Sequence, residues 1–533
     1  MTEQGVRWTS EQVLALAPDD ASRRAGSKLG SPGPWSGAGR DGRAVWGLCK
    51  GSGRTPYRTV VDTAGPAYAC SCPSRKFPCK HALGLLLLWA GDAAGTAVPT
   101  AGEAPDWAAE WLAGRRARAE AAREGAARTE ADGGPADPEA ARRRAERRAA
   151  RITAGAQELE QRLADLLRGG LASAERAGYG LWEETAARMV DAQAPGLAGR
   201  VRELGAVAGS GPGWPVRLLE ECALTHLLDR AWLAVDTLPG PLAATVRGRV
   251  GLPSSPEGPV LRDDWLVLAQ YDTADARLTT RRIWLHGRST GHTALLLSYG
   301  AAGRAPQLAL PVGAVVDAEL RPYGSGGGLR AELVEQFGTA SAACPPPPGT
   351  GVAAALAAYG GALREDPWLD SWPVTLSEVV PARAEYGWQL ADAAGTGPGS
   401  APGTGPGTPS GTRPGTPSGT GAGTPSGTGP DQAPGAAAGT ADGADGTSAA
   451  IEAADGTSAV PGGADGPPGT AVGTAGREAV PLTRAAQAHP GLWRLVALSG
   501  GGPVRVFGEV GHQGFTPLAA WSPDEPGETV PLV

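Results

Sequence analysis

Within twelve residues, Cys70-Ser-Cys72-Pro-Ser-Arg-Lys-Phe-Pro-Cys79-Lys-His81, the chain places three of its six cysteines and one of its six histidines. Two tight pairs, Cys-x-Cys and Cys-x-His, stand six residues apart. Three thiolates and an imidazole complete a tetrahedral set for Zn²⁺ and leave no position for a reacting water. That closure predicts a structural metal centre at Cys70, Cys72, Cys79 and His81, not a catalytic one. Binding of one zinc ion would contribute on the order of 10 kcal/mol to folding of the surrounding segment.

The elements that must hold these ligands follow from the flanking pattern. Thr9 and Gln12 have the spacing of a capping box that opens a short helix through Val13, Leu14 and Leu16. Pro18 ends that helix, and Asp19-Asp20 starts another that stops near Gly26. Residues 30–39 read as loop, with Trp35 as an anchor. Strands are predicted at 45–49, 57–61 and 67–72, the last delivering Cys70 and Cys72. His81 then opens an apolar helix through Trp89. Zinc supplies what so small a core cannot.

Charge is unevenly distributed. The 533-residue chain carries a net −7, which argues against bulk attraction to polyanions. Residues 1–90 nevertheless hold twelve Lys/Arg against six Asp/Glu, including all four lysines of the chain. Arg75, Lys76, Phe77 and Lys80 surround the ligands and are the candidate macromolecule contacts: the cations for phosphate, the ring for a base or groove wall. The bland alternative is that Phe77 packs on the knuckle and the cations balance thiolate charge. A second basic run, Arg142–Arg148, reads as a solvated helix face with Glu139 and Glu146. A phosphate-binding role there would show as strong salt dependence.

For catalysis the sequence offers little, and no catalytic or organic-cofactor residues are assigned. His286 and His292 near Asp263-Asp264 lack a recognised spacing. His226 and Cys222 stand i, i+4 and read as core-facing. The Gly324–Gly328 run lacks the Lys-Ser/Thr of a phosphate loop. Cys49 and Cys344 read as a strand and a loop residue. With no disulfide scaffold, no apolar leader and no apolar run near the ~20 residues of a membrane helix, a non-enzymatic cytoplasmic protein is expected.

The fold class expected is α+β with several domains: a zinc-stabilised ββ(β)α finger at 1–92, a linker at 93–138, a helical bundle at 139–252, an antiparallel β domain at 258–340 and a small α/β module from 352–393 and 478–525. The bundle is read from apolar residues at helical spacing, Ile152, Ala156, Leu159 and Leu163 first among them. Residues 394–477, where Gly-Thr-Pro-Ser-Gly-Thr recurs every eight residues, are read as a disordered Gly/Pro/Thr/Ala-rich insertion.

The C-x-C-x6-C-x-H pattern resembles the SWIM-type zinc finger, and all four ligand positions carry over. The wider chain is similar to bacterial SWIM zinc finger proteins, notably at Leu181–Gly196 and Gly508–Leu518; the preference for Arg over Lys with abundant Ala, Gly and Pro fits a GC-rich bacterial genome. The resemblance implies zinc binding, with protein contacts as the first role and DNA or RNA binding as the alternative. It also implies a candidate partner, an AAA-type ATPase or a von Willebrand-type protein, because such genes often lie beside those of the relatives.

Overall fold

Thr9 and Gln12 cap each other as their spacing predicts. The Thr9 hydroxyl accepts from the Gln12 amide at 3.2 Å and the Gln12 side chain accepts from the Thr9 amide at 2.9 Å, opening α1 (Ser10–Ala15). The computed structural model describes residues 8–393 and 478–533, apart from 52, 64–66, 75, 77, 93, 102, 132–136, 209, 257, 275–277, 302–305, 307, 325–328, 338–343 and 386. The disordered-insertion reading of 394–477 falls outside the described residues.

Asp19 caps α2 (Asp20–Ser27), accepting from Ser22 N at 2.7 Å. An antiparallel meander follows: β1 (Trp35–Arg40), β2 (Ala44–Cys49), β3 (Tyr57–Asp62) and β4 (Ala67–Cys70). The first strand corrects the loop expected at 30–39. Its sequence, Trp-Ser-Gly-Ala-Gly-Arg, has no alternation to read, and its register shifts between Ser36 and Gly39. Gly39 is needed there, since a Cβ would lie 2.9 Å from the Trp46 indole nitrogen. Trp35 does anchor the segment, donating from Nε1 to Leu29 O at 2.7 Å.

The helix α3 (Lys80–Gly91) is apolar on every side because it is covered on every side. It packs on β2, β3 and β4, while α1 and α2 cover its other flank. The α2–α3 approach is close enough that a Cβ on Gly26 would stand 2.8 Å from that of Leu83.

The reading of 93–138 as linker is also corrected. It contains α4 (Asp106–Ala131), whose Trp107, Trp111 and Leu112 pack with Ala44, Trp46 and Val60 of the sheet. An Ala/Arg/Glu composition looks like spacer, yet those residues are strong helix formers, and two tryptophans at i, i+4 suffice to dock one face.

Five helices form the bundle: α5 (Pro138–Gly169), α6 (Ala172–Asp191), α7 (Pro195–Val207), α8 (Trp214–Leu233) and α9 (Gly240–Val250), with a 3₁₀ turn at Val235–Thr237. Ile152, Ala156, Leu159 and Leu163 meet Trp182, Met189, Val201, Leu204, Leu218 and Cys222 in one core.

Next, β5 (Leu261–Ala274), β6 (Leu278–Gly287), β7 (Thr293–Ala301), β8 (Val315–Pro322) and β9 (Arg330–Gln336) form a closed barrel in the order β5-β6-β7-β9-β8. Pairing is antiparallel except between β7 and β9, where Leu295 and Leu296 run parallel to Arg330 and Ala331 and close the ring. Closure removes the free edges that an open sheet of this kind would present.

The last module contains α10 (Val352–Glu365), β10 (Ser371–Ala384), β11 (Gly387–Asp392), β12 (Ala479–Pro481), α11 (Arg484–Ala488), α12 (Gly491–Ser499), β13 (Val504–Gly511), β14 (Gly514–Trp521) and β15 (Thr529–Pro531). Its six strands run in the order β12-β11-β10-β13-β14-β15. Because Leu390 pairs with Val480, residues 394–477 join two strands that are direct neighbours.

The finger is not a separate globule. Trp8, Leu83, Leu85 and Leu86 share one buried cluster with Trp265, Val267, Ile283 and Leu285 of the barrel. The barrel in turn shares Leu266, Trp284 and Leu295 with Phe507, Leu518 and Trp521 of the last sheet.

Candidate metal centre

Cys70 ends β4 opposite Thr59 of β3, and the Thr59 hydroxyl lies 3.3 Å from its sulfur. The following knuckle is held to β3 from both sides. Ser71 N donates to Arg58 O at 3.0 Å, and the Ser71 hydroxyl accepts from Arg58 N at 3.0 Å. Cys72 is thereby turned to the same side as Cys70.

Cys79 and His81 arrive from the helix. Cys79 is the N-cap of α3, and its sulfur accepts from Ala82 N at 3.5 Å. The exposed amides of a helix start favour negative charge on that sulfur. His81 sits one position inside the helix, buried, with its ring 4.8 Å from that of Tyr57 and Nδ1 3.7 Å from the Cys70 sulfur.

The four ligand atoms all lie within 4.8 Å of one another, and this Cys₃His group is the cluster of metal-ligating side chains found among the described residues. Metal–sulfur distances of about 2.3 Å and metal–nitrogen distances of about 2.0–2.1 Å place tetrahedral ligands roughly 3.5–3.8 Å apart. The cluster fits that geometry with little contraction.

Its electrostatics point the same way. The Cys70 thiol is held down to about 4, chiefly by a hydrogen bond from Cys79, then by His81 and Thr59, with burial opposing. Cys79 is pushed up, first by the proton it gives Cys70 and then by burial. Burial also pushes Cys72 up. The protein by itself thus stabilises one thiolate; a cation would let the other two ionise.

The candidate contact residues divide. Arg75 and Phe77 lie outside the described residues. Lys76 reaches back to the cap of α2, with Nζ 2.6 Å from Asp19 Oδ2. That partner holds the Asp19 carboxyl down to about 2, ahead of the Ser22 amide. Lys80 is exposed at the first position of α3. Of these cations, Lys76 is a strut between finger and α2 as much as a contact.

Tyr57 and Thr59 were not singled out from the sequence. Both sit on one face of β3, Thr59 opposite Cys70 in the β3–β4 register and Tyr57 against His81 of α3, so the available signal was the alternation of that strand. Of the other cysteines, Cys222 lies in the bundle and Cys344 between barrel and last sheet, while Cys49, buried on β2 beside the centre, has its thiol pushed up by burial and then by the charge of Cys70. The expectation that His226 faces the core is overturned. It is exposed and its Nδ1 lies 2.6 Å from Glu160 Oε1, because the buried side of α8 is taken by Cys222, Thr225 and Asp229. Asp263, considered beside His286, accepts instead from Ser289 N, Thr290 N and the Thr290 hydroxyl, bracing the turn between β6 and β7.

Comparison with known families agrees with this geometry at two places. Residues 60–90, from β3 to the end of α3, match the SWIM zinc finger, and residues 147–250 match the SWIM-associated four-helix bundle domain. The second match ends where α9 ends. No curated protein and no solved structure matches the chain. Among the described residues, no helix is long and apolar enough to cross a membrane.

Proposed function

We propose, from a SWIM zinc finger joined to its associated bundle, that this is a non-enzymatic interaction protein. One Zn²⁺ held by Cys70, Cys72, Cys79 and His81 would fix the finger, and the finger would present a protein-binding surface. The observation that carries this reading is the closed tetrad: four protein ligands converge and leave no position for substrate. Bound metal would tie the end of β4 to the start of α3. The cytoplasm, with its reduced thiols, is the compartment that suits three free metal-binding cysteines. An AAA-type ATPase or a von Willebrand-type protein is the partner to which the resemblance points.

The alternative, nucleic-acid binding by the finger, is weakened by Lys76, whose charge is engaged by Asp19. The test has two parts. Elemental analysis of the purified chain should give one zinc per molecule, falling to zero in Cys79→Ser. Partners cross-linked in the native host should then be compared between the two chains. A mutant that loses zinc, stays folded and keeps every partner would reduce the finger to a fold staple.

A further inference from the structure

A cleft of about 1260 Å³ opens between the first turns of α5, the end of α8, α9 and the segment that leads to the barrel. Five arginines line it against two carboxylates. Four of them, Arg144, Arg147, Arg148 and Arg151, are spaced i, i+3, i+4 and i+7, so they form one stripe on α5. Arg247 of α9 faces them across the cleft.

The same helix treats its other arginines differently. Arg142 and Arg143 do not line the cleft and are paired: Arg143 with Glu139 at 3.0 Å and Arg142 with Glu146 at 3.3 Å, each at i, i+4. On the cleft face Arg144 and Arg147 have no carboxylate partner among the described residues. Arg144 and Arg148, like Arg147 and Arg151, are like charges four apart, an arrangement that destabilises an isolated helix. Helix stability therefore accounts for the outer arginines and not for the inner ones.

Two of the inner arginines are also positioned. Arg151 donates to the Gln193 side chain at 2.7 Å, and Gln193 holds a left-handed backbone (φ 63°) where glycine is usual. Arg148 donates to Gly251 O at 3.4 Å, while its Nε is buried without a partner.

We propose that this cleft binds the phosphate backbone of a nucleic acid, without reading its sequence. The stripe spans about 10 Å along the helix at ~1.5 Å per residue, which exceeds one phosphate group and suits a run of them. Guanidinium groups pair with phosphate oxygens two at a time, which favours phosphate over isolated carboxylates. A concave site lets low-dielectric walls focus the field despite the net −7 of the chain. Concavity also disfavours a flat lipid surface. Trp232, the aromatic residue of the cleft, is 4 % exposed and donates to Thr153 at 3.1 Å, so no ring is free to stack on a base. This inference is independent of the role proposed for the finger.

The test uses the full chain and fluorescence anisotropy with labelled duplex DNA and single-stranded RNA of equal length, over a range of salt. Binding by the native chain is expected to weaken steeply with salt, and the two probes show which form is preferred. Replacing both partnerless arginines, R144A/R147A, should weaken low-salt binding by at least about tenfold and lower the slope of log K against log salt by about two. The double replacement of the paired arginines outside the cleft lining, R142A/R143A, removes the same number of cations and should leave affinity and slope much closer to those of the native chain. Equal losses in the two variants would overturn the proposal, as would no binding, or displacement of the probes by poly-glutamate as readily as by unlabelled nucleic acid. Loss of binding in Cys79→Ser with full binding in R144A/R147A would move the site to the finger and also overturn it. The unfolding midpoint of R144A/R147A should match the native chain, since the guanidiniums it removes make no contact that holds the fold, and that of R142A/R143A should fall only slightly with the loss of its two exposed i, i+4 pairs.

Discussion

Three thiols packed with an imidazole cannot all ionise unless a cation shares the space, and that fixes how metal binding should respond to acid. Cys70 is held down to about 4, so it is already a thiolate at neutral pH, whereas Cys72 and Cys79 are pushed up and keep their protons. Loading Zn²⁺ at pH 7 should therefore release about two protons per ion. Apparent affinity should fall as pH falls, by about a hundredfold per unit while both protons compete with the metal. Calorimetry in buffers of different ionisation enthalpy measures the release; a count near zero or near three would show that the resting charge of the cluster is misassigned. At this scale the sequence was most legible, because ligand identity and spacing are themselves the chemistry. Thr59 and Tyr57 were illegible for the opposite reason. Thr59 meets Cys70 only through the β3–β4 register and Tyr57 meets His81 only because α3 packs on β3, and local spacing carries no record of either.

Among the elements, the bundle was legible because its buried stripe repeats at 3.6 residues over several turns, which few other structures produce. The first strand and α4 were not. One lacks alternation, and the other hides two docking tryptophans in a polar composition. The bundle also contains a group that periodicity marks wrongly. Asp229 stands on the buried side of α8, fully enclosed, and neither carboxylate oxygen has a hydrogen-bond partner among the described residues. Burial, helped by Glu160, raises its pKa to about 8. A carboxyl raised above its unfolded value near 3.9 holds a proton in the fold that it lacks when unfolded. Its protonated form is compatible with the core below about pH 4, and stability is lost progressively as pH rises from there towards 8. Asp229→Asn removes the ionisation and should flatten that dependence. Between pH 5 and 8, urea unfolding should show the native chain losing at least about 1.4 kcal/mol more than the variant, the equivalent of one pKa unit. Parallel curves would mean that Asp229 finds a partner or water in solution.

In the whole molecule, the finger, barrel and last sheet are tied by contacts far apart in sequence, which is why a reading in separate domains understates their coupling. Glu509 is the clearest tie. Its carboxylate accepts from Tyr271 OH at 2.7 Å, from Trp284 Nε1 at 2.8 Å and from the Ser371 hydroxyl at 2.7 Å, joining the barrel to the last sheet. Glu509→Ala would strand three donors at a part-buried interface and should cost about 3 kcal/mol, splitting thermal unfolding into two calorimetric steps. A single unshifted transition would show that apolar contacts alone couple the two bodies. The segment 394–477 should behave in the opposite way. Asp392 N donates to Glu478 O at 2.9 Å, and Leu390 and Val480 are register partners, so the segment leaves and re-enters the sheet at adjacent strand ends. Closing β11 to β12 through a loop about tenfold shorter would relieve closure entropy worth about 2 kcal/mol at most. Deleting residues 398–474 should therefore leave the unfolding midpoint unchanged or slightly raised. A large fall after the deletion would mean that the segment contributes contacts of its own to the sheet, and that β12 is held there by more than its pairing with β11.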